Sequence, residues 1–517
     1  MKSVIAKYFS LIPLLFLCLF YIAKAIYFPI HDFANYYFGA HFLTEGQFNS
    51  TIYFPYEFNK AISDLGYQNI FASYAPNTPF LALLFTPLTL FSVTNAKILF
   101  NLFSSALLII SCIRLIRFYN INLKYLFIIP LLFFVPIKNN ILFGQVYFLL
   151  FFLLTETLIS YENKQLKKTA FYLSLAILLK VFPVIFVLFF LIKKEFKIIL
   201  YTALFGILLL GFSILFSGVN IWLFFVTSVL PKASNGEIAT AFVDNYQSVF
   251  MFLKRMLVFD TIENPKPVFH AASYFSILLL AFKFGLISLG YFITRACKNN
   301  LYVYSFWILA SILFSPYGST YSFIILVFPL ITLLLSEISV LKKIVLGAIL
   351  FLINNFSVSF FIEKNFPFSF LRLFLLVIFS LLFLISLFKK STLVKSFAVS
   401  FFILLIGIFF KQEALEKSKP LLTEKTPILI YDYTVNDNQL TYFYWNEKGE
   451  NKKSVYLKVD NWKELDIKNQ QIFYKNKQLT FDKNNKIKPL LINNTEIIFL
   501  SDENKGIGFY SLKYYPK

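Results

Sequence analysis

Acids, cysteine, methionine and histidine are all scarce in this chain. Only 27 Asp and Glu stand against 48 Lys and Arg in 517 residues, and the first acid is Asp32. The three cysteines, Cys18, Cys112 and Cys297, lie in or beside apolar runs, so no disulfide framework braces the polar segments. The three histidines are scattered without the spacing of a metal site, so neither a metal nor another cofactor is expected. No small-x-small site closes the first apolar run, which ends YIAKAIYFPIHD. That run is therefore not expected to be a cleaved signal peptide. No internal repeat is visible, which speaks against transporter folds built from repeats.

What the chain has in abundance is apolar surface. Hydrophobic residues make up 58% of it, with 69 Phe. Runs of about 18 or more apolar residues recur, and each is a candidate span. The net charge of +21 invites a nucleic-acid reading. Much of the basic charge instead sits in short clusters between apolar runs, the pattern of loops held on the cytoplasmic side. Nucleic acid is accordingly not an expected partner, whereas membrane lipid is.

Lys2 and Lys7 place the N-terminus in the cytoplasm, and the segment 29–79 is then external. Phe80 to Phe91 is too short to cross and contains Pro87, so it reads as a partly buried external or re-entrant piece. A span follows from about Lys97 to Ser111. Tyr125 to Pro136 is expected to return outward to a Lys138-Asn139-Asn140 turn, and Ile141 to Ser160 to go back in. Ala170 to Ile192 has basic clusters at both ends and is interrupted by Lys180 and Pro183. A full crossing would put one cluster outside. A hairpin that dips in and returns keeps both inside, with Lys180 near its tip. The segment 218–269 is a second external stretch, whose Val249 to Phe259 is expected to lie flat with Lys254 and Arg255 facing water. Ser315 to Thr320 reads as a tight external turn.

These readings give an all-α polytopic membrane protein of about 11 spans plus a re-entrant hairpin, in the plasma (inner) membrane. The membrane domain covers residues 1–410. From 411 to 517 the apolar runs stop and short β-type runs recur between Asn, Asp and Gly turns, for example Gln471 to Tyr474 and Glu496 to Leu500. This tail is expected to be a small external β-rich domain.

The polar features converge on one side. They are Asp32 with Tyr36 and Tyr37, Tyr74 to Pro79, Gly144-Gln145, Asn245 to Ser248, and Ser315 to Ser319, with Lys180 approaching from within the membrane. An ionisable group at membrane depth is a functional candidate by default, its alternative being a lysine that snorkels to a boundary. A carboxylate at a membrane edge can take a proton from a hydroxyl, or merely solvate a helix end. Carboxylate, amides and lysine together suit a lipid-linked phosphosugar. The lysine pairs with the phosphate and the carboxylate deprotonates the attacking hydroxyl. The competing class is a transporter or flippase of lipid-linked saccharide or small solute.

The motifs resemble one family. Asp32-Phe-Ala-Asn-Tyr-Tyr37, then Glu45-Gly46, Ile52-Tyr53 and Tyr74-x-Pro76, resemble the start of glycosyltransferase family 87. Phe143-Gly144-Gln145-Val146 and Leu178-Leu179-Lys180-Val181-Phe182-Pro183 follow in order, then Gln247-Ser248 and Ser315-Pro316. The resemblance implies a membrane enzyme of the GT-C class that takes a polyprenyl-phosphate sugar, typically mannose, needs no metal, and acts on the external face. It makes Asp32 the catalytic base. Lys180 is the expected donor-phosphate ligand, and Tyr36, Tyr37, Tyr74, Gln145, Asn245 and Gln247 are expected to line the substrate site. The expected partners are the polyprenyl-phosphate sugar donor and a lipid- or glycan-linked acceptor. The sequence departs from the family pattern at Tyr246, before Gln-Ser, and at Ser319, Tyr321 and Ser322, after the Ser-Pro turn, where Trp and His are frequent.

Overall fold

The computed structural model describes residues 9–516 apart from 241, 244, 261–262, 358–359, 361–363, 410–418, 423–428, 437, 447, 483 and 495. It is mostly helical up to Phe409 and all-β from Lys419 onward. Five helices are long and apolar enough to cross a membrane, namely Val93–Phe118, Phe196–Ser217, Ala272–Ala296, Phe368–Leu387 and Ser391–Phe409. The pair Leu123–Leu132 and Phe134–Phe143, bent by 70°, raises the number to six.

The expected count of about 11 spans is not reached by length and composition. Several apolar runs are broken into helices of 10–17 residues, such as Asn300–Phe314 and Thr320–Leu335. At about 1.5 Å per residue these fall short of a core about 30 Å thick, and composition alone does not show where a run breaks. Lys138 to Asn140 do not form a turn but lie within the helix Phe134–Phe143. The chain turns instead at Gly144, whose φ of 66° ends that helix. Glycine takes this left-handed conformation without the Cβ clash other residues meet.

The segment around Lys180 reverses. The helix Leu166–Leu179 stops at Lys180, which is extended (φ −146°, ψ 127°). The helix Ile185–Ile192 then returns, because Phe189 and Phe190 both pack on Tyr161, just before the point where the hairpin began. The next helix, Phe196–Ser217, starts again at that level. Lys167 lies over the Tyr201 ring and Phe171 packs on Phe205, so the helices Leu166–Leu179 and Phe196–Ser217 run parallel.

One face of the helical region collects the ends with basic clusters. Tyr161 donates to Glu195 (3.3 Å), Lys193 to the Cys297 carbonyl (3.3 Å), and Asn300 to Glu162 (3.4 Å). Near these ends, Arg114 donates to Glu156 (2.8 Å). The polar motifs lie at the other ends of the same helices.

Among the described residues of the β region, the largest sheet is antiparallel, in the order Lys419–Pro420, Ser511–Pro516, Glu496–Ser501, Lys486–Ile492, Trp462–Glu464. Its centre, Glu496–Ser501, is buried on both faces. Ile498 and Leu500 point to one cluster, and Ile497 and Phe499 to another, as the two-residue period of a strand requires. A meander of Leu429–Asn436, Gln439–Asn446 and Gly449–Tyr456 covers the first cluster.

This β region docks on the polar side of the helices. Tyr56 stacks on Tyr431 (3.7 Å between ring centres) and donates to Glu450 (3.1 Å). Lys232 enters the loop after Ser501, where it meets the Asp502 carboxylate (3.1 Å) and the carbonyls of Asp502 (2.8 Å) and Lys505 (2.9 Å). The helix Val249–Leu257 exists as expected, but its Lys254 does not face water. It is 8% exposed and sits over the Phe242 ring, because the chain before the helix folds back across it.

Candidate active site

The cluster begins at the junction of the helix Ile12–Ala25 with the helix Phe33–Thr44. Asp32 stands at the start of the latter and leaves its side chain free of the helix-capping role, since no side-chain cap bond forms. His31, at a φ of 57°, stacks its ring on Phe143 (4.1 Å) and brings Nδ1 to 3.2 Å from Asp32 Oδ1. The other oxygen, Oδ2, accepts a hydrogen bond from Gln145 Nε2 (2.5 Å). Gln145 Oε1 accepts in turn from the Tyr36 hydroxyl (2.7 Å).

Gln145 is buried, whereas the Asp32 side chain keeps 30% of its surface. The carboxylate is thus oriented by a fixed amide and still reachable. Gly144 makes the approach possible, for a Cβ there would lie 2.7 Å from the Cβ of Phe33.

Lys180 reaches the same place from the hairpin tip. Its Nζ donates to Asn77 Oδ1 (2.8 Å) and lies over the rings of Tyr36 (5.8 Å) and Tyr147 (6.0 Å). Two aromatic faces and an amide oxygen hold a half-buried ammonium without a carboxylate in contact. The loop that carries Asn77 is itself locked. Tyr53 donates to the Asn77 carbonyl (2.9 Å), Tyr74 to the Thr78 carbonyl (2.9 Å), and Thr78 Oγ1 to the Leu178 carbonyl (2.5 Å).

A second cation, the buried Lys97, donates to the Pro29 carbonyl (2.8 Å). Asp32 is within electrostatic reach of both lysines. The wall continues through Tyr147 and Tyr321 (5.2 Å between rings), with Phe143 beside Tyr321. Tyr246 closes it from the loop before the helix Val249–Leu257. Burial, and after it the Asp32 charge, pushes the Tyr246 phenol up to about 12.

The structure brings Asp32, Tyr36, Gln145 and Lys180 together. Tyr74 sits one layer behind, under Asn77, with Gly39 against its ring. Tyr37 points elsewhere and donates to the Phe91 carbonyl (2.8 Å). Gln247 is buried and donates to the Ser369 carbonyl (2.8 Å), with its Oε1 left without a partner. Asn245 is exposed. Reading the sequence singled out neither Lys97 nor Tyr147 and gave His31 and Asn77 no role. Two had a signal, since His31 and Tyr147 lie one and two residues from Asp32 and Gln145. Lys97 had none, because it looked like the polar start of a span. Among the described residues no group of His, Cys, Asp or Glu is arranged to hold a metal ion.

The arrangement can accept a proton at Asp32 and balance negative charge at Lys180, within one aromatic-walled space. Residues 75–316 match the model of glycosyltransferase family 87. The matched segment contains Asn77, Gln145, Lys180 and Gln247 and begins after Asp32. No curated protein matches the chain.

Proposed function

Proceeding from an integral membrane chain that matches a glycosyltransferase family, we propose that it moves a hexose, mannose first among candidates, from a polyprenyl-phosphate carrier to a lipid- or glycan-linked acceptor. We place the reaction on the extracytoplasmic side; the basic helix ends gathered on the opposite face support that sidedness. The N-terminus is then cytoplasmic and the β-rich tail extracytoplasmic.

The observation that carries this reading is the pairing of an oriented, part-exposed carboxylate with a half-buried ammonium. Asp32 is fixed by Gln145, and Lys180 stands across Tyr36. In the proposed step an acceptor hydroxyl oxygen attacks the anomeric carbon while its proton passes to Asp32. The bond from the anomeric carbon to the phosphate oxygen breaks, and its electron pair stays on polyprenyl phosphate. Lys180 offsets the charge that grows on that phosphate. A phosphate leaves without a proton, so a single carboxylate suffices where a glycosidase uses two. Attack from the face opposite the phosphate inverts the anomeric centre.

The test is transfer of labelled sugar from polyprenyl-phosphate mannose, and from its glucose analogue, into membrane lipids and glycans. Asp32→Asn at equal expression is expected to lower the rate by about 10²-fold or more. Equal rates in both proteins would remove Asp32 as the base. Uptake of solute without release of polyprenyl phosphate would establish the transporter reading in place of the enzyme.

A further inference from the structure

A cavity of about 190 Å³ lies outside the candidate site, between Arg255 at the end of the helix Val249–Leu257, the stretch 264–268 and the segment 364–370. Its polar lining includes Arg255, Lys266, Lys364 and Asn365, and its apolar wall includes Phe366 and Phe370. Among the described residues that line it there is no carboxylate. In the neighbouring turn, Asp260 Oδ1 accepts from the Glu263 backbone N–H (2.8 Å) and the Glu263 carbonyl accepts from Arg255 (3.4 Å). Asp260 acts on Lys254, and Asp260 and Glu263 both act on Lys505. Among the described lining residues, the exposed Lys266 and Lys364 are the cationic groups that can meet whatever enters the cavity.

Its position says what kind of anion. The segment 364–370 leads directly into the apolar helix Phe368–Leu387, so the cavity sits at a membrane boundary. Around it Val268, Phe269 and Phe368 are 53%, 56% and 69% exposed. Apolar side chains so placed beside lysines belong in the headgroup layer, with the ring in the acyl boundary and the charge at phosphate level. The volume is below the roughly 300–1,000 Å³ of whole small-molecule sites and suits a single phosphate group.

We propose that this cavity binds the phosphodiester of a membrane lipid, with Lys266 and Lys364 as its charge contacts and Arg255 at its wall. The site is joined to the catalytic side by one buried link. Gln247 Nε2 donates to the carbonyl of Ser369, a lining residue, and the adjacent Ser248 donates to the Pro316 carbonyl (2.7 Å). A lipid held here has its headgroup beside the loop that carries Tyr246, Gln247 and Ser248. The same chemistry is presented by a bulk anionic phospholipid and by a phosphate-bearing acceptor lipid. The proposal needs no transfer reaction and stands or falls apart from it.

The test uses the full chain in nanodiscs of phosphatidylcholine doped with spin-labelled phosphatidylglycerol. Wild type is expected to retain phosphatidylglycerol in preference to labelled phosphatidylcholine. The double variant Lys266→Gln/Lys364→Gln is expected to weaken this retention roughly 30-fold. Both lysines are exposed, so the fold is kept, and Lys452→Gln/Lys458→Gln serves as the charge-matched control. Equal retention in the double variant and the control would overturn the site. Displacement by millimolar inorganic phosphate as effective as by excess lipid would overturn the lipid assignment. In the transfer assay, a raised KM for a phosphate-bearing acceptor in the double variant assigns the acceptor as the lipid, and an unchanged KM assigns bulk phospholipid. Retention in Asp32→Asn equal to wild type separates the site from the proposed chemistry.

Discussion

At the scale of single residues, the cluster depends on which atoms hold which charges. Lys180 is not one of many interchangeable cations. Its ammonium is a compact point charge fitted between two rings and the Asn77 amide. A guanidinium is broader, planar and forked, and it fits carboxylates better than this cage. Lys180→Arg is therefore expected to raise the KM for the donor about 10-fold or more, with the folded yield unchanged. Kinetics identical to wild type would remove Lys180 from the proposed donor site. Asp32 was readable as a candidate because it is the first acid after an apolar run. The amide that orients it lies 113 residues away in the chain, and only folding shows that Gln145 joins Asp32 to Tyr36.

At the scale of elements, two breaks in helices build the site, at Gly144 and at Lys180. Gly144 carries two constraints, a φ of 66° and the Phe33 side chain against its Cα. Gly144→Ala adds a methyl where both forbid it. The expected outcome is a loss of about 1–3 kcal/mol, seen as a lower unfolding temperature together with a fall in kcat as Gln145 shifts. A wild-type melting curve would show that the junction has room after all. The break at Lys180 makes a topological statement. Both ends of the segment from Leu166 to Ile192 lie on one face, so a cysteine at Lys164 and one at Lys194 are expected to react with a membrane-impermeant thiol reagent from the same side. The test is made in a Cys297→Ser background, because Cys297 is the native cysteine that is not buried. Labelling from opposite sides would mean that the segment crosses. Charge clusters at both ends had pointed to this hairpin. The bend of 70° before Phe134 had no comparable sign, because Lys138 to Asn140 looked like a turn but lie on a helix.

At the scale of the whole molecule, the β-rich tail is anchored to the helical region through a few strong contacts. Asp502 is fully buried, accepts from the backbone of Asn485 (2.9 Å) and Gly508 (3.2 Å), and meets Lys232. Lys232→Met leaves that carboxylate buried without its cation. Breaking one side of such a pair costs about 3–5 kcal/mol, and the tail is expected to detach first. The readout is faster proteolytic loss of the β-rich tail while the helical region stays intact. Cleavage at the wild-type rate would show that the aromatic contact of Tyr56 with Tyr431 suffices. Lys232 also touches the active region indirectly. The next residue, Ala233, offers its carbonyl to the Tyr317 hydroxyl, and Tyr317 packs on Tyr246 (5.3 Å).

The sequence by itself determined the class of molecule. Apolar runs demand a membrane, and the change of composition after residue 410 announces strands in place of helices. The motifs also named Asp32, Tyr36, Gln145 and Lys180. Tertiary structure decided how many runs are long unbroken helices, since chain breaks at Phe133, Gly144 and Lys180 depend on packing rather than on composition. It also decided which tyrosines face the cluster. Tyr36 and Tyr37 are neighbours in the chain, yet successive residues on a helix point about 100° apart. One meets Gln145 and the other the backbone of Phe91. The cationic cavity at 255–268 and 364–370 belongs wholly to the fold, because its lysines lie about 100 residues apart and only packing puts both on one phosphate-sized space.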